Sequence, residues 1–247
     1  MPTTMILIRH GETAWNAIKR IQGFTDIALN DLGVRQAEAL GARFARAKAA
    51  GGDLSDTLVA ALDEADERGG LDALPIAAVY VSDLRRARET AAPIARVLGL
   101  EPVPMATLRE RNYGDFEGLD PDEIAQRYPE QFERWQRRDP EFGPSRGESQ
   151  RVFHDRVVTA LRGLAARHVD QRLVVVAHGG VLDHARRYAQ SLPLEQPRDY
   201  LLLNASLNIV NFSAAGAEVI VWADVSHLES GEARDDSHNV RPDTRVI

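Results

Sequence analysis

The sequence predicts a three-layer α/β domain, and three observations carry that prediction. Short apolar runs alternate with segments of helical periodicity along most of the chain. Two of those runs, "MILIRHG" at residues 5–11 and "LVVVAHG" at 173–179, pass directly from buried-strand composition into His-Gly. At 247 residues the chain is long enough for one large domain with its own core, and it contains no internal repeat.

Taken in order, Met5–Ile8 form the first buried-strand run. In "NDLGVRQAEALGARFARAKAA", Leu32, Ala37, Leu40, Phe44 and Ala45 recur at helical spacing, and Asn30 or Asp31 caps the start. Residues 50–72 hold Gly pairs near both ends and an acidic middle, which marks an insertion before the next strand. "IAAVYVSD" is a second buried strand, and "LRRARETAAPIARVLGL" a helix in which Pro93 marks a kink or a late start. "VPMATL", within the loop-rich residues 101–120, is expected as a third strand. "DPDEIAQRYPEQFERWQRR" reads as one or two helices broken at Pro129, and a long amphipathic helix follows over roughly 148–168. "RLVVVAH" is a strand, "GGVLDHARRYAQSL" a helix, and "SLNIVNFS" with "AEVIVWAD" a terminal hairpin around "AAG". The reading is one domain over 1–225 and a polar, aperiodic tail over 226–247, expected to be extended or mobile.

Composition narrows the function classes. Hydrophobic content of 44% and charged content of 27% are those of a globular protein. A net charge of −7 argues against nucleic-acid and anionic-membrane surfaces, and no run approaches the length of a membrane span. There is no cysteine, which excludes disulfides and thiolate metal sites and is compatible with a reducing compartment. Without a basic and apolar leader pattern, the expectation is a soluble cytoplasmic protein. Lys19 and Lys48 are the only lysines, so the cationic chemistry rests on arginine, the better fork for phosphate oxygens.

The two His-Gly strand ends are the strongest site signal. If both strands run parallel in one sheet, His10 and His178 emerge on the same carboxyl edge, where open α/β sheets bind ligands. The glycines allow close backbone approach and free amide donors at a helix start. "VSDLRRARETA" places Arg85, Arg86 and Arg88 on the first turn of a helix after the second strand. "LRERNYGDFEG" gathers Arg109, Glu110, Arg111, Tyr113 and Glu117 in a loop. A carboxylate among arginines is either a plain ion pair or a proton donor and acceptor at a phosphate site.

These motifs resemble those of the histidine phosphatase superfamily, also called phosphoglycerate mutase-like, over nearly all of residues 4–224. "LIRHGETAWN" is similar to its signature, "QGFTDIALNDLGVRQA" to the segment that follows, and "VSDLRRARETA" to its second phosphate-arginine motif. "LRERNYGDFEG" is similar to its acid-bearing loop and "VVVAHGG" to its second-histidine motif. The resemblance implies an α/β/α sandwich around a sheet of about six mostly parallel strands. It implies that His10 is the nucleophile that accepts a phosphoryl group and Glu110 the general acid and base. Arg9, Arg86 and His178 become direct phosphate ligands, with Asn16 and the backbone of Gly179 as supporting donors.

The chemistry suits those residue types. Neutral imidazole keeps one nitrogen free for attack if the other donates to a backbone carbonyl. Arginine forks and a protonated His178 would spread over the equatorial oxygens of the transition state, so neither metal nor cofactor is expected. Glu110 would protonate the leaving alkoxide and later take a proton from water. Within the family, mutases continue with a Trp-Arg-Arg and proline-rich segment. Here "RWQRRDPEFGPSRGES" places Gln136 before Arg137 and Arg138, and its end resembles the "PGGES"-like segment of broad-specificity phosphatases. The expected function is therefore hydrolysis of a small phosphorylated metabolite. A phosphoglycerate mutase, which would take 2,3-bisphosphoglycerate, is the alternative; an inactive phospho-ligand scaffold would lack one of the key residues. Gln22, Gly23, Arg111, Tyr113 and Arg137 are the candidate specificity residues. His184, six residues after His178, is off a common helical face with it, so no metal pair is expected. His154, His168, His227 and His238 are expected on the surface. Monomer and homodimer are both compatible with the sequence.

Overall fold

The computed structural model describes residues 1–49 and 76–233. Strand β1 (Thr3–Arg9) is buried at every residue, and so is β4 (Arg172–Ala177). Strands covered on both faces read as unbroken apolar runs, which is why these two were legible as cores rather than as alternations. With β2 (Ile76–Val81), β3 (Val103–Pro104), β5 (Leu207–Ser213) and β6 (Gly216–Asp224) they form one six-stranded sheet in the order β3-β2-β4-β1-β5-β6. The pairs β3–β2, β2–β4 and β4–β1 are parallel, whereas β5 is antiparallel to both β1 and β6.

Helices cover both faces. Helices α2 (Asp31–Ala49) and α3 (Arg85–Leu98) pack on one, where Leu40, Phe44, Ala87, Ala91 and Ile94 meet Ile6, Ile8, Val79 and Val174. Helices α6 (Gln150–Arg167) and α7 (Gly179–Gln190) pack on the other, where Phe153, Val157, Leu161 and Leu182 meet Met5, Leu7, Leu173 and Val175. Each fully buried aliphatic or Phe side chain contributes about 1.5–3 kcal/mol, so these two faces are the main source of stability. The short α1 (Ala14–Ala17), α4 (Pro121–Arg127) and α5 (Pro129–Gln136) lie elsewhere. A third apolar cluster, Ile21, Phe116, Leu119, Ile124, Trp135 and Phe142, holds α4 and α5 together.

Local chemistry sets the element ends. Asn30 Oδ1 accepts the Gly33 N–H at 2.8 Å and so caps α2. Helix α3 runs unbroken through Pro93, which packs on Gly41 of α2; a Cβ at Gly41 would come within 2.7 Å of the proline Cβ. Leu84 offers α3 no side-chain cap, and Asp26 supplies one from a distance by accepting the Arg85 N–H at 2.6 Å.

Two expectations change, and the division at Pro129 is met as two helices. "VPMATL" is only a two-residue strand followed by a 3₁₀ turn at Ala106–Leu108. Pro129 divides the segment into two helices, with Tyr128 as the residue that ends one and precedes the other. The start of the polar tail is not loose: Leu228 packs on the α2–α3 cluster, and Arg43 Nη2 bonds Asp224 Oδ2 at 2.6 Å. Gln36 Nε2 donates to the Glu232 carbonyl at 2.7 Å. The insertion near 50–72, His238 and the rest of the tail lie outside the described residues.

Candidate active site

Strand register builds the site. Arg9 pairs with Ala177 and Val81 with Val176, so β1, β2 and β4 end at one level. The ladder continues one step further, with His10 N–H donating to Ala177 O at 3.0 Å and Ser82 N–H to Val176 O at 2.9 Å. His10, Ser82 and His178 thus leave the sheet side by side. The two imidazoles meet edge to face with ring centroids 5.2 Å apart.

His10 is buried, and its Nδ1 lies 2.7 Å from the Gly11 carbonyl. A carbonyl only accepts, so Nδ1 carries the proton and the Nε2 lone pair is left for chemistry. Burial holds the His10 pKa well below its ordinary 6.5, and the Arg86 and Arg9 charges lower it further, so the ring is neutral at physiological pH. His178 is the second buried imidazole of the edge. Burial, then Arg86, His10 and Arg9, push it well below 6.5, so it is neutral in the free protein. Its Nε2 pairs with Ser82 Oγ at 2.7 Å, while its buried Nδ1 has no partner among the described residues. A doubly charged phosphate brought to that nitrogen would favour protonation.

The arginines are sorted by the helix face they occupy. Arg86 is 0% exposed, and its Nη1 and Nη2 donate to Thr25 O at 2.9 Å and Gly23 O at 2.8 Å. Its buried Nε has no partner among the described residues. Burial lowers the Arg86 pKa to about 10, which leaves it a cation at neutral pH. Arg85 instead pairs with Glu89 on the surface at 2.6 Å. Arg9 Nη1 donates to the Leu202 carbonyl. Gly179 stands against that guanidinium, because a Cβ there would come within 3.3 Å of Arg9 Nε. Asn16 sits in a capping box with Thr13, its Oδ1 accepting the Thr13 N–H at 2.9 Å. Gln22 Oε1 accepts from Thr13 Oγ1 at 3.0 Å.

Glu110 is fixed by two backbone donors. Its Oε1 accepts the Arg111 N–H at 2.8 Å and its Oε2 the Gly180 N–H at 2.9 Å, the latter on the first turn of α7. Together with His10, Arg9, Asn16, Gln22, Gly23, Arg86, Arg111, Tyr113 and Gly179 it lines one cleft of about 160 Å³. His178 is fully buried in edge contact with His10 and is not among the lining residues. Arg20, Arg138 and Arg198 add further cations to the lining, so the cleft is strongly positive within a chain of net charge −7.

One candidate specificity residue, Arg137, does not line the cleft. The Arg137 side chain is 76% exposed and pairs with Glu133 at 3.2 Å. Helix α5 ends before it, and the next residue, at φ +54°, turns back inward. Arg138 therefore lines the cleft, with its Nε donating to Leu194 O at 3.1 Å. The sequence also missed His184 and Asp183, which line the cleft's inner wall. Asp183 accepts from Tyr200 Oη at 2.5 Å and Arg187 Nε at 3.0 Å, and its pKa is held at about 2. His154, expected on the surface, is half-buried against His184, with the two Nδ1 atoms 3.0 Å apart. His168 bonds Tyr80 Oη and His227 lies beside Arg43, so neither is a free surface group. A bracket behind the site was also unread: Asn204 Nδ2 donates to His10 O at 3.1 Å, and Ala205 N donates to Arg9 O at 3.1 Å. Ala205 holds φ +57°, a left-handed conformation that a non-glycine residue adopts at some energetic cost. Among the described residues, no three His, Asp or Glu side chains are grouped to hold a metal, and no helix is long and apolar enough to cross a membrane.

Comparisons with known proteins agree with this geometry. The model of the histidine phosphatase superfamily (branch 1) matches residues 5–57 and 53–225, and the chain belongs to that family. It is 36% identical over 232 residues to the metal-independent phosphoserine phosphatase of Arabidopsis thaliana, covering 92% of this chain and 84% of that one. It is 35% identical over 229 residues to phosphoglycerate mutase-like protein 4 of the same plant, covering 91% and 86%. Among solved structures, YhfR of Bacillus stearothermophilus superposes with a TM-score of 0.73 at 31% identity, covering 92% of this chain and all of that one. The phosphatase reading of the sequence holds.

Proposed function

We propose that the chain hydrolyses small phosphomonoesters that carry a carboxylate, with phosphoserine the foremost case, through a phosphohistidine at His10. The observation that carries this reading is the neutral His10, its Nδ1 committed to Gly11 O, set between the cations Arg9 and Arg86. His10 Nε2 attacks phosphorus as the ester P–O bond breaks, and the Glu110 carboxyl gives its proton to the departing alkoxide. Water then attacks the phosphohistidine while Glu110 takes the water's proton, releasing phosphate and restoring neutral His10. Arg9 and Arg86 cover equatorial oxygens where charge spreads, and His178, outside the lining of the free protein, becomes the third donor when its unpartnered Nδ1 meets the phosphate and is protonated. No metal or other cofactor takes part in this scheme.

Two further features support a carboxylate-bearing substrate. Arg111 and Arg138 are buried cations of the same cleft, beyond the cluster around His10. Arg111 donates to the carbonyls of Glu148 and Phe142, and the closest approach of Arg138 to Asp183 is 3.8 Å, so both keep charge for an anionic substrate group. The names of the relatives, a phosphoserine phosphatase and a phosphoglycerate mutase-like protein, concern small phosphorylated carboxylic acids. Phosphate release is measured from phosphoserine, 3-phosphoglycerate, a sugar phosphate and a nucleotide. Highest kcat/KM for phosphoserine supports the proposal. Interconversion of 3- and 2-phosphoglycerate dependent on 2,3-bisphosphoglycerate, without phosphate release, would establish the mutase instead.

A further inference from the structure

A chain of hydrogen bonds runs from the C-terminal segment to His10 through three amide groups, and backbone groups fix its direction. The Glu232 carbonyl only accepts, so the Gln36 atom 2.7 Å from it is the donor Nε2. The Glu12 N–H only donates, so the Gln36 atom 2.8 Å from it is the acceptor Oε1. The Gly11 carbonyl only accepts, so His10 Nδ1, at 2.7 Å, is its donor. The Gly11 carbonyl and the Glu12 N–H are the two ends of one planar peptide unit. Gln36 is wholly buried, and these two bonds occupy both ends of its amide.

We propose that Gln36 is a positioning residue for phosphoryl transfer. It holds the Gly11–Glu12 peptide so that the Gly11 carbonyl keeps the proton on His10 Nδ1 and leaves Nε2 free for attack, and the C-terminal segment in turn holds Gln36 through Glu232. The proposal rests on His10 being the nucleophile. Each link polarises the next in the same sense. Donation by Gln36 Nε2 makes its Oε1 a better acceptor, and that bond makes the Gly11 carbonyl a better acceptor for imidazole. Without Gln36 the Glu12 N–H would be a buried donor lacking its acceptor, and the peptide would turn toward another partner. The carbonyl would leave Nδ1, the proton would shift to Nε2, and the attacking lone pair would be lost.

The anchor at the far end is built independently of Gln36. Buried Arg43 bonds Asp224 at 2.6 Å and Ser226 Oγ at 2.7 Å, Leu228 packs among apolar side chains, and Arg35 reaches Glu232 at 3.4 Å. At the near end Gly33 of α2 lies so close to Glu12 that a Cβ would overlap the Glu12 carbonyl oxygen. Helix α2 is thus in contact with both ends of the hydrogen-bond chain.

The test uses the full chain with p-nitrophenyl phosphate and 15N NMR of the histidine side chains. Gln36→Met removes both bonds at similar volume, Gln36→Glu keeps an acceptor for Glu12, and Leu228→Asp dislodges the C-terminal segment while leaving Gln36 in place. Gln36→Met is expected to lower kcat about tenfold with KM within about twofold, the scale of one lost hydrogen bond in the transition state. Gln36→Glu recovers a large part of that loss, and Leu228→Asp lowers kcat by about threefold. NMR should find Nδ1-protonated His10 in the unsubstituted protein and a share of Nε2-protonated ring in Gln36→Met. An Nε2-protonated His10 in the unsubstituted protein overturns the proposal, whether or not the variants fold. Unchanged kcat in folded Gln36→Met overturns it as well. Turnover surviving in His10→Ala would refute the nucleophile itself, which the tautomer measurement does not touch.

Discussion

Gly180→Ala probes the acid without altering any ionisable group. A methyl built on Gly180 overlaps Glu110 Oε1 and comes within 2.8 Å of Phe153 Cε1. Phe153 is buried in the apolar cluster beneath α6 and α7, so the carboxylate is the softer neighbour and moves. Restoring ordinary van der Waals contact displaces it by roughly 1 Å and lengthens the bond from Gly180 N–H, now 2.9 Å. Misplacing a reacting group by that distance costs about 100-fold, and general acid catalysis as a whole contributes about 10²–10⁴-fold. The loss depends on the leaving group, because a good one departs without a proton. We therefore expect kcat/KM for phosphoserine, an alkyl phosphate, to fall about 100-fold, and that for p-nitrophenyl phosphate less than about tenfold. The constant kcat/KM is the one to compare, since it reports steps through ester cleavage and not the later hydrolysis of phosphohistidine. Equal losses on both substrates would refute the assignment of Glu110 as the acid, provided thermal melting shows the variant folded.

Further predictions concern specificity and pH. Arg138→Leu should raise KM for phosphoserine about tenfold while changing p-nitrophenyl phosphate little, because one cation of the cleft is lost. Arg137→Ala should leave kinetics unchanged, with stability within about 0.5 kcal/mol; the reverse pattern would return specificity to Arg137. His10, His178 and His184 are all held below 6.5, His184 at about 3, chiefly by burial. Unfolded, they take up protons near pH 6.5, whereas the folded chain resists until lower pH. Their contribution to stability is thus complete above about pH 6.5 and is lost as pH falls toward the folded values, by up to about 1.4 kcal/mol per pH unit for each group. Urea midpoints should be flat between pH 7 and 8 and should fall at pH 5.5; a midpoint unchanged at pH 5.5 would contradict the buried neutral histidines.

What the sequence carried was local and periodic. Runs buried on both faces marked β1 and β4, and the shared His-Gly ending placed His10 and His178 on one edge before any register was known. Ser82, the residue after β2, was not singled out, because its tie to His178 depends on strand order. Arg138 was hidden by a single backbone conformation, since its left-handed φ exchanges the roles of two adjacent arginines. Gln36, Asn204 and Glu232 carried no signal because each acts through a partner at least 24 positions away in the chain. That His178 is neutral in the free protein was not legible either. Charge on an imidazole follows from burial and neighbouring cations, which composition does not show.

The central claim is that His10 carries the phosphoryl group. Its most direct test is rapid quench with phosphoserine labelled in the phosphate, followed by peptide mapping under alkaline conditions, where phosphohistidine survives. Transient label is expected on the peptide containing His10, stable in base, labile in acid and absent from His10→Ala. Label on another residue, or full turnover with no labelled protein at any quench time, would contradict it.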